Sequence, residues 1–214
     1  MYINITKKHI LTFSIILGAI ITYLLSGNET NDANLQKDIA KKVIRFHVLA
    51  NSDSDEDQAL KLKVKDAVVG YLQPFMSESE SLENSMEILK THNDDVIALA
   101  ENVIKKEGYT YDVNAYFCED FFPTKSYGDV TLPAGDYTAF RIEIGDHEGK
   151  NWWCILYPPL CFVDATYGVL PDDSKTMLKN VLDEDEFNLI TGNIDSENTE
   201  FQFKYLKFLN GLFN

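Results

Sequence analysis

Basic residues are scarce in this chain of 214 residues, which has 19 Lys and Arg against 34 Asp and Glu, a formal net charge of −15. Contact with a phosphate backbone needs clustered Lys and Arg, so the composition argues against a nucleic-acid-binding protein. The same deficit argues against simple adhesion to anionic lipids. An acidic surface instead suits solubility and selection among protein partners.

The common catalytic motifs are also missing. The sequence contains no HExxH, no CxxC and no G-x-S-x-G, which removes the usual arguments for an enzyme. Asp53, Asp55 and Asp57 alternate like the first ligands of an EF-hand loop, but that loop requires Gly where Gln58 stands and Glu where Val64 stands. A helix N-terminus explains these acids. We therefore predict no catalytic residue, no metal site and no cofactor.

Two catalytic hypotheses nevertheless stay open. His47 lies in an apolar stretch and could act as a base oriented by a carboxylate from the Asp53 region, although a structural histidine or a partner contact fits the same position. His147 and Cys154 flank one turn, which suggests a Cys–His pair. A buried or disulfide-bonded cysteine fits Cys154 better, because it lies among large apolar residues.

The N-terminal residues differ from the rest of the chain. Lys7 and Lys8 precede an apolar run from Ile10 to Leu25, and this stretch contains no Asp or Glu. A short basic region followed by an apolar region of this length is typical of an export signal. The run is shorter than the roughly 20 residues of a full membrane span, but it could serve as an uncleaved anchor. The positive-inside rule would then keep both lysines in the cytoplasm.

We predict three segments on this basis. Residues 1–27 form a signal peptide or membrane anchor that engages the membrane, residues 28–41 form a polar linker, and residues 42–214 form an exported domain. Hydrophobic residues make up 45% of the chain and aromatic residues 12%. This is enough apolar material for the domain to bury a core.

The first half of the domain shows one strand followed by helices. A β-rich stretch covers residues 43–50. Ser54 and Asp57 have capping-box spacing, and the helix that they begin is expected to end before Pro74. A second helix carries its apolar face from Met86 to Ile104, with a glycine just past its end.

The pattern then changes to period two. Residues 111–117 alternate between apolar and polar, and Phe140 to Ile144 alternate again. Gly145 to Gly149 resemble a turn and Asn151 to Tyr157 a returning strand, which predicts a β-hairpin. Helical patterns follow at residues 172–182, 186–190 and 201–212. The segments together indicate an α+β fold, a single domain whose mainly antiparallel sheet packs against helices.

Three cysteines in an exported domain suggest one disulfide and one free thiol. Cys154 and Cys161 lie close in sequence on either side of Pro158-Pro159. A disulfide between these two cysteines is one interpretation, and two free thiols are an equal alternative. Cys118 would then be unpaired, and a pairing that includes Cys118 stays open.

Trp152 and Trp153 are adjacent in a strand and must point to opposite sides of it. One indole can enter the core while the other faces solvent or a partner, and exposed Trp is a frequent interface anchor. Burial of both side chains is the alternative.

Several stretches of the sequence are similar to the stage II sporulation protein R family. They are Ile44–Ser52, Asp57-Gln58 leading into Leu60–Asp66, Phe122–Gly128, Pro133–Tyr137, Arg141–Gly145 and Asn151–Phe162. Together they span residues 43–165, and the run NWWC…PPLCF is the most specific of them. Cys118 is not part of the pattern.

The resemblance implies a signalling role in endospore formation. Members of this family are made in the forespore and exported into the space between the two forespore membranes. There they activate a membrane-embedded aspartic protease of the mother cell, which cleaves the precursor of sigma-E. The catalytic aspartates belong to that receptor, so the resemblance implies that this chain is not an enzyme.

The polar residues inside the apolar motif stretches are the candidate contacts with such a receptor. They are Arg45, His47, Asn51, Lys125, Tyr127 and Arg141, to which we add Trp152 and Trp153. For each polar residue a structural hydrogen-bonding role is an equal alternative. The alternative functions are an extracytoplasmic hydrolase acting on the cell envelope, with His47 in its site, and a non-regulatory structural protein of the envelope.

Overall fold

The computed structural model describes residues 7–161 and 170–192. In chain order its elements are α1 (Lys7–Ala40), β1 (Ile44–Leu49), α2 (Asp55–Ser77), α3 (Leu82–Thr91), α4 (Asn93–Lys106), β2 (Val113–Phe122), β3 (Lys125–Tyr127), β4 (Val130–Leu132), β5 (Gly135–Ile144), β6 (Asn151–Tyr157), α5 (Asp172–Val181) and α6 (Glu184–Thr191). Four strands form one sheet in the order β2-β5-β1-β6, and β3 pairs with β4 separately. The helical face predicted for residues 201–212 lies outside the described residues.

β1 lies inside the four-stranded sheet, and all six of its residues are buried. It runs parallel to β5 and antiparallel to β6, while β2 runs antiparallel to β5. Two of these three pairings are antiparallel, and helices pack against the sheet. The predicted α+β fold with a mainly antiparallel sheet is therefore confirmed.

The predicted hairpin between β5 and β6 is wrong, because β1 separates the two strands. The loop between them crosses the end of β1, where the backbone N–H of Gly149 donates to the carbonyl of Ala50 at 3.0 Å. A Cβ atom at Gly149 would overlap the carbonyl oxygen of Ser52. The glycine that resembled part of a tight turn instead lets the loop pass close to the preceding chain.

The helices α2, α3 and α4 cover the first face of the sheet, which carries Phe46 and Val48 of β1. Alternate residues of each strand point to this face, as the pleat of a sheet requires. The helices bury an apolar stripe against it, formed by Leu60, Val64, Val68, Leu72, Met76, Leu89, Val96, Ala100 and Ile104. This contact forms the larger of the two hydrophobic clusters in the described residues.

α2 begins where the capping pattern predicted but ends later. Ser54 is its N-cap residue, and the Ser54 hydroxyl accepts from the backbone N–H of Asp57 at 3.1 Å. The helix was expected to end before Pro74, yet it continues to Ser77. Leu72 and Met76 are fully buried on either side of Pro74, so packing stabilises the turn that proline disfavours.

The second predicted helix is divided into α3 and α4 at His92. The His92 ring stacks on Phe75 of α2 with 4.0 Å between ring centres. Its Nδ1 lies 2.8 Å from the hydroxyl of Tyr71, so this junction is held against α2. The glycine expected past the second helix is Gly108, whose φ of 88° is the left-handed conformation that suits a C′ position.

The second face of the sheet carries Arg45 and His47 of β1. Part of it is covered by the end of α1, the β3–β4 pair, α5 and α6, which enclose the second hydrophobic cluster. Lys42, just after α1, contacts Glu186 at the start of α6 at 2.7 Å. The helical patterns predicted at residues 172–182 and 186–190 correspond to α5 and α6.

The segment expected to form a polar linker is helical. Residues 28–40 belong to α1, and near its end Gln36 and Ile39 are buried. Gln36 donates to the carbonyl of Asp136 at the start of β5 at 3.3 Å. The end of α1 is therefore part of the domain, because its apolar and amide side chains pack on the second face. Within the described residues, no helix combines the length and the apolar content needed to cross a membrane.

Candidate functional site

A row of four side chains crosses the second face of the sheet. Trp153 of β6, His47 of β1, Arg141 of β5 and Tyr116 of β2 are register neighbours on adjacent strands. His47 is buried, Trp153 and Arg141 are half-buried, and Tyr116 is exposed. The row therefore passes through the centre of the sheet and reaches solvent at β2.

Two further side chains of β2 extend this row into a cluster. Cys118 and Asp120 follow at alternate positions and point to the same face. Ala139 of β5 lies beside Cys118 in the register. Because Ala139 is short, His47 of β1 reaches across β5, and its Nε2 lies 3.2 Å from Asp120 Oδ2.

Arg141 and the two carboxylates form an ion-pair network in the cluster. Arg141 Nη1 donates to Asp120 Oδ2 at 2.7 Å, and Nη2 contacts Glu143 Oε1 at 2.8 Å. The Tyr116 hydroxyl donates to the same Glu143 oxygen at 2.9 Å. One guanidinium faces two carboxylates, so the cluster carries a negative charge.

Burial sets the protonation of His47 and Cys118. Desolvation lowers the pKa of His47 to about 4, and the nearby Asp120 carboxylate offsets this only in part. Desolvation also raises the pKa of Cys118, and Asp120 adds to that effect. At neutral pH the imidazole and the thiol are therefore both uncharged.

Arg45 and His47 were predicted as partner contacts, but both are buried. The Arg45 guanidinium lies 4.3 Å from the centre of the Phe122 ring and 4.9 Å from that of Tyr137. It donates to the Tyr127 hydroxyl at 3.0 Å and to a backbone carbonyl of β6 at 3.3 Å. Arg45 is fully buried and His47 is 3% exposed, so neither side chain offers a surface to a protein partner.

Asn51 joins three segments at the end of β1. Its Nδ2 donates to Asp57 of α2 at 2.9 Å, and its Oδ1 accepts from the backbone N–H of Asp146 at 2.9 Å. Gly145, with a φ of 57°, passes so close that a Cβ atom there would overlap the Asn51 side chain. Asn51 therefore positions the β5–β6 loop.

The hypothesis that a carboxylate from the Asp53 region orients His47 is wrong. Asp53 accepts from the backbone N–H of Lys150 at 2.6 Å. The carboxylate beside His47 belongs to Asp120, which lies on β2. Only the β2–β5–β1 order brings these two side chains together.

The Cys–His pair suggested for Cys154 and His147 is also wrong. Cys154 points to the first face and is paired with Cys161 as a disulfide, with 5.5 Å between the Cα atoms. His147 lies in the β5–β6 loop with an exposed ring. Among the described residues, Cys118 is the free cysteine.

The two tryptophans of β6 are half-buried on opposite faces. Lys65 Nζ lies 4.9 Å from the centre of the Trp152 ring, and Lys125 Nζ lies 4.6 Å from that of Trp153. Trp152 also packs edge-on against Phe46 at 5.9 Å between ring centres. Each half-buried indole thus has a lysine over the face of its ring.

The sequence predictions missed Cys118, Asp120 and Glu143 as members of the cluster. Cys118 and Asp120 lie just past the alternating residues 111–117, and Glu143 is a polar position of the second alternating stretch. Nothing in the local pattern indicated that His47, more than 70 positions away, shares their face. This set of groups can bind a polar partner surface or a cation.

Comparison with known proteins agrees with the predicted family. The family model described as stage II sporulation protein R matches residues 40–167. A curated relative, stage II sporulation protein R of Bacillus subtilis (strain 168), is 35% identical over 156 residues, which cover 73% of this chain and 70% of the relative. No solved structure matches the chain.

The matched residues include every strand of the four-stranded sheet and the cluster on its second face. The chain therefore belongs to the stage II sporulation protein R family, and its role lies in sporulation.

Proposed function

We propose that this chain is an exported signalling protein of endospore formation that activates a membrane-embedded aspartic protease of the mother cell. Activation leads to cleavage of the sigma-E precursor, and the chain itself is not an enzyme. One observation carries the proposal: the family match at residues 40–167 covers the whole four-stranded sheet, from β1 to β6. The part shared with the family thus contains the complete sheet and the helices α2, α3 and α4 that cover its first face.

The N-terminal residues support export. Lys7 and Lys8 precede the apolar run, and described side chains of that run, including Phe13, Ile16 and Ile20, are exposed. We propose that residues 1–27 direct the domain across the forespore membrane and either are cleaved or stay as an anchor. The domain then acts in the space between the two forespore membranes.

A signal activates its receptor only if it binds the active form more tightly than the inactive form. We propose that the half-buried candidates near the second face make this contact, with Lys125 and Trp153 as its centre and Arg141 and Tyr127 beside them. The lysine–indole pair offers a cation and an aromatic surface together, a combination that suits an interface anchor. The buried Arg45 donates to Tyr127, and the buried His47 lies beside Trp153 in the sheet register, so these two residues support the surface from within.

Charge reversal at Lys125 tests the proposed contact. Cleavage of the sigma-E precursor is measured by immunoblot in cells that contain this chain, the protease and the precursor. Lys125→Glu and Trp153→Ala should each reduce the cleavage rate at least about tenfold, which corresponds to about 1.4 kcal/mol of lost binding.

Lys106→Glu is the matched control, because Lys106 is exposed on α4, which covers the opposite face. It makes the same charge change and should leave cleavage unchanged. Normal cleavage with both Lys125→Glu and Trp153→Ala would refute this contact surface while leaving the signalling role open.

A hydrolase is the second candidate function, because Cys118, His47 and Asp120 are a nucleophile, a base and a carboxylate in one cluster. We rank it second since the His47 side chain is only 3% exposed, which leaves a substrate little access. Saturable turnover by the purified chain that is lost with Cys118→Ser would favour the hydrolase. Signalling retained in the same variant would favour the proposed function.

A further inference from the structure

The cluster of His47, Cys118 and Asp120 has a composition that signalling does not explain. One ligand atom from each side chain, an imidazole nitrogen, the sulfur and a carboxylate oxygen, lies within 4.8 Å of the other two. Ligand atoms that share one tetrahedral ion lie about 3.3–3.8 Å apart, since each bond is about 2.0–2.3 Å long, so side-chain movements of about 1 Å would bring the three atoms to bonding distance. The three groups are therefore close enough to share an ion after small side-chain movements.

His47 supplies an independent sign that a ligand belongs in this place. Its side chain is 3% exposed, yet neither ring nitrogen has a hydrogen-bond partner among the described residues. The 3.2 Å approach of Nε2 to Asp120 Oδ2 thus lacks the geometry of a hydrogen bond. A buried polar atom without a partner is destabilising, and a bound cation would satisfy Nε2, the ring nitrogen that lies near Asp120.

The backbone builds this cluster from two strands that are not neighbours. β1 and β2 are separated by β5, a distance of about 10 Å. Ala139 of β5 is fully buried between them, and its small side chain leaves the space in which the ligand atoms meet. A larger residue at this position would fill the site.

The donor set selects the class of ion. Imidazole nitrogen, thiolate sulfur and one carboxylate oxygen are the ligands of Zn²⁺ and chemically similar divalent transition metals. Ca²⁺ and Mg²⁺ prefer sites made of oxygen ligands alone. A coordinated cysteine sulfur is a thiolate, so the Cys118 thiol releases its proton to solvent as its sulfur binds the ion.

The neighbouring charges are compatible with a cation. Arg141 donates to Asp120 and contacts Glu143. It can therefore orient the Asp120 carboxylate without binding the ion itself, as residues that hydrogen-bond to metal ligands commonly do. A divalent ion and Arg141 together carry three positive charges. The Cys118 thiolate, Asp120 and Glu143 together carry three negative charges, so the occupied cluster would be neutral.

We infer that His47, Cys118 and Asp120 form a binding site for one divalent transition-metal ion of the Zn²⁺ class. No metal site was expected from the sequence, in which His47 lies far from Cys118 and Asp120, and the sheet order brings the three residues together. A tetrahedral ion bound by three side chains keeps a fourth position for water or for a group from a partner. This site does not depend on the proposed signalling role.

Co²⁺ titration of the purified full-length chain in detergent, without reducing agent, tests the site. The wild-type chain should bind one Co²⁺ and develop the near-ultraviolet absorption of a thiolate–cobalt bond. Zn²⁺ should displace the cobalt and remove that absorption. Cys118→Ala should abolish it, while His47→Gln and Asp120→Asn should weaken Co²⁺ binding at least about tenfold.

Glu119→Gln is the matched control. Glu119 lies between Cys118 and Asp120 on the same strand but points to the other face, so this variant should bind Co²⁺ like the wild type. Circular dichroism establishes that each variant is folded. A folded wild-type chain without the thiolate–cobalt absorption, or an absorption that persists in Cys118→Ala, would overturn the assignment.

Discussion

Arg45 places a guanidinium in the interior of the domain, where the described residues offer it no carboxylate. Its charge is accommodated by the faces of Phe122 and Tyr137, the Tyr127 hydroxyl and a backbone carbonyl. Such contacts use the planar, delocalised cation that Lys lacks. At the scale of single residues, a polar position in an apolar motif can thus be a structural requirement.

We expect Arg45→Lys to lower the free energy of unfolding by about 2 kcal/mol, the scale of a desolvated cation–π contact. Lysine keeps the charge but loses the stacking and one hydrogen bond. Chemical denaturation of the full-length chain measures the change. Lys106→Ala, an exposed control, should stay within about 0.5 kcal/mol of the wild type, and an equally small change for Arg45→Lys would contradict this role.

The disulfide between Cys154 and Cys161 links β6 to the residues that follow it. The cysteines are seven positions apart, and closing a loop of this length corresponds to about 2.5 kcal/mol of stabilisation. The double variant Cys154→Ser with Cys161→Ser should lose about that much in chemical denaturation. Cys118→Ser, measured with a chelator present, should be unaffected, and thiol titration of the unfolded wild-type chain should find one free thiol.

At the scale of elements, the start of α2 is stabilised by the carboxylate of Asp57. It accepts from Ser52 at 2.6 Å and from Asn51 at 2.9 Å, so one side chain links α2 to the end of β1. Burial raises the pKa of Asp57, but hydrogen bonds from Ser52, Asn51 and Ser54 outweigh burial and lower it. The folded state therefore holds the charged form more strongly than the unfolded state does.

Asp57→Asn should lower the free energy of unfolding by about 2 kcal/mol at neutral pH, because hydrogen bonds to a charged group are lost. A carboxyl group whose pKa is lower in the folded state stabilises the fold at pH values above its unfolded-state pKa, which is about 3.9 for Asp. The difference from the wild type should therefore persist down to about pH 4 and shrink as the pH falls further. Asp55→Asn, an exposed acid in the same turn, should change stability by about 0.5 kcal/mol. A difference in the free energy of unfolding between the wild type and Asp57→Asn that does not depend on pH would contradict this explanation.

Local sequence patterns predicted the helices and strands better than they predicted which strands pair in the sheet. The Ser54 cap, the strand at residues 44–49 and the glycine after α4 follow from residue types within a few positions. The β5–β6 hairpin failed because the insertion of β1 depends on pairing across about 100 residues. The cluster around His47 was missed for the same reason, since neither Cys118 nor Asp120 is near it in sequence.

At the scale of the whole molecule, the end of α1 belongs to the domain while its beginning is proposed to direct export. Ile39 is fully buried and Gln36 contacts β5. Deleting residues 1–27 should therefore leave the melting temperature of the domain unchanged. Deleting residues 1–40 should lower the free energy of unfolding by about 3 kcal/mol or more, because the cavity left by Ile39 alone is of that scale. Equal stability of the two truncated chains would show that α1 does not support the domain.

Reconstitution tests whether the exported domain is the signal for a membrane-embedded protease. The full-length chain is expressed in a non-sporulating host with the cognate protease and the sigma-E precursor, and precursor cleavage is followed by immunoblot. Deletion of residues 1–27 is the control for export, because it leaves the domain inside the cell.

We predict cleavage with the full-length chain and none with the chain that lacks residues 1–27 or when the chain is omitted. Absence of cleavage with all three proteins present and correctly localised would refute the signalling role, and equal cleavage by the chain without its N-terminal segment would refute the need for export.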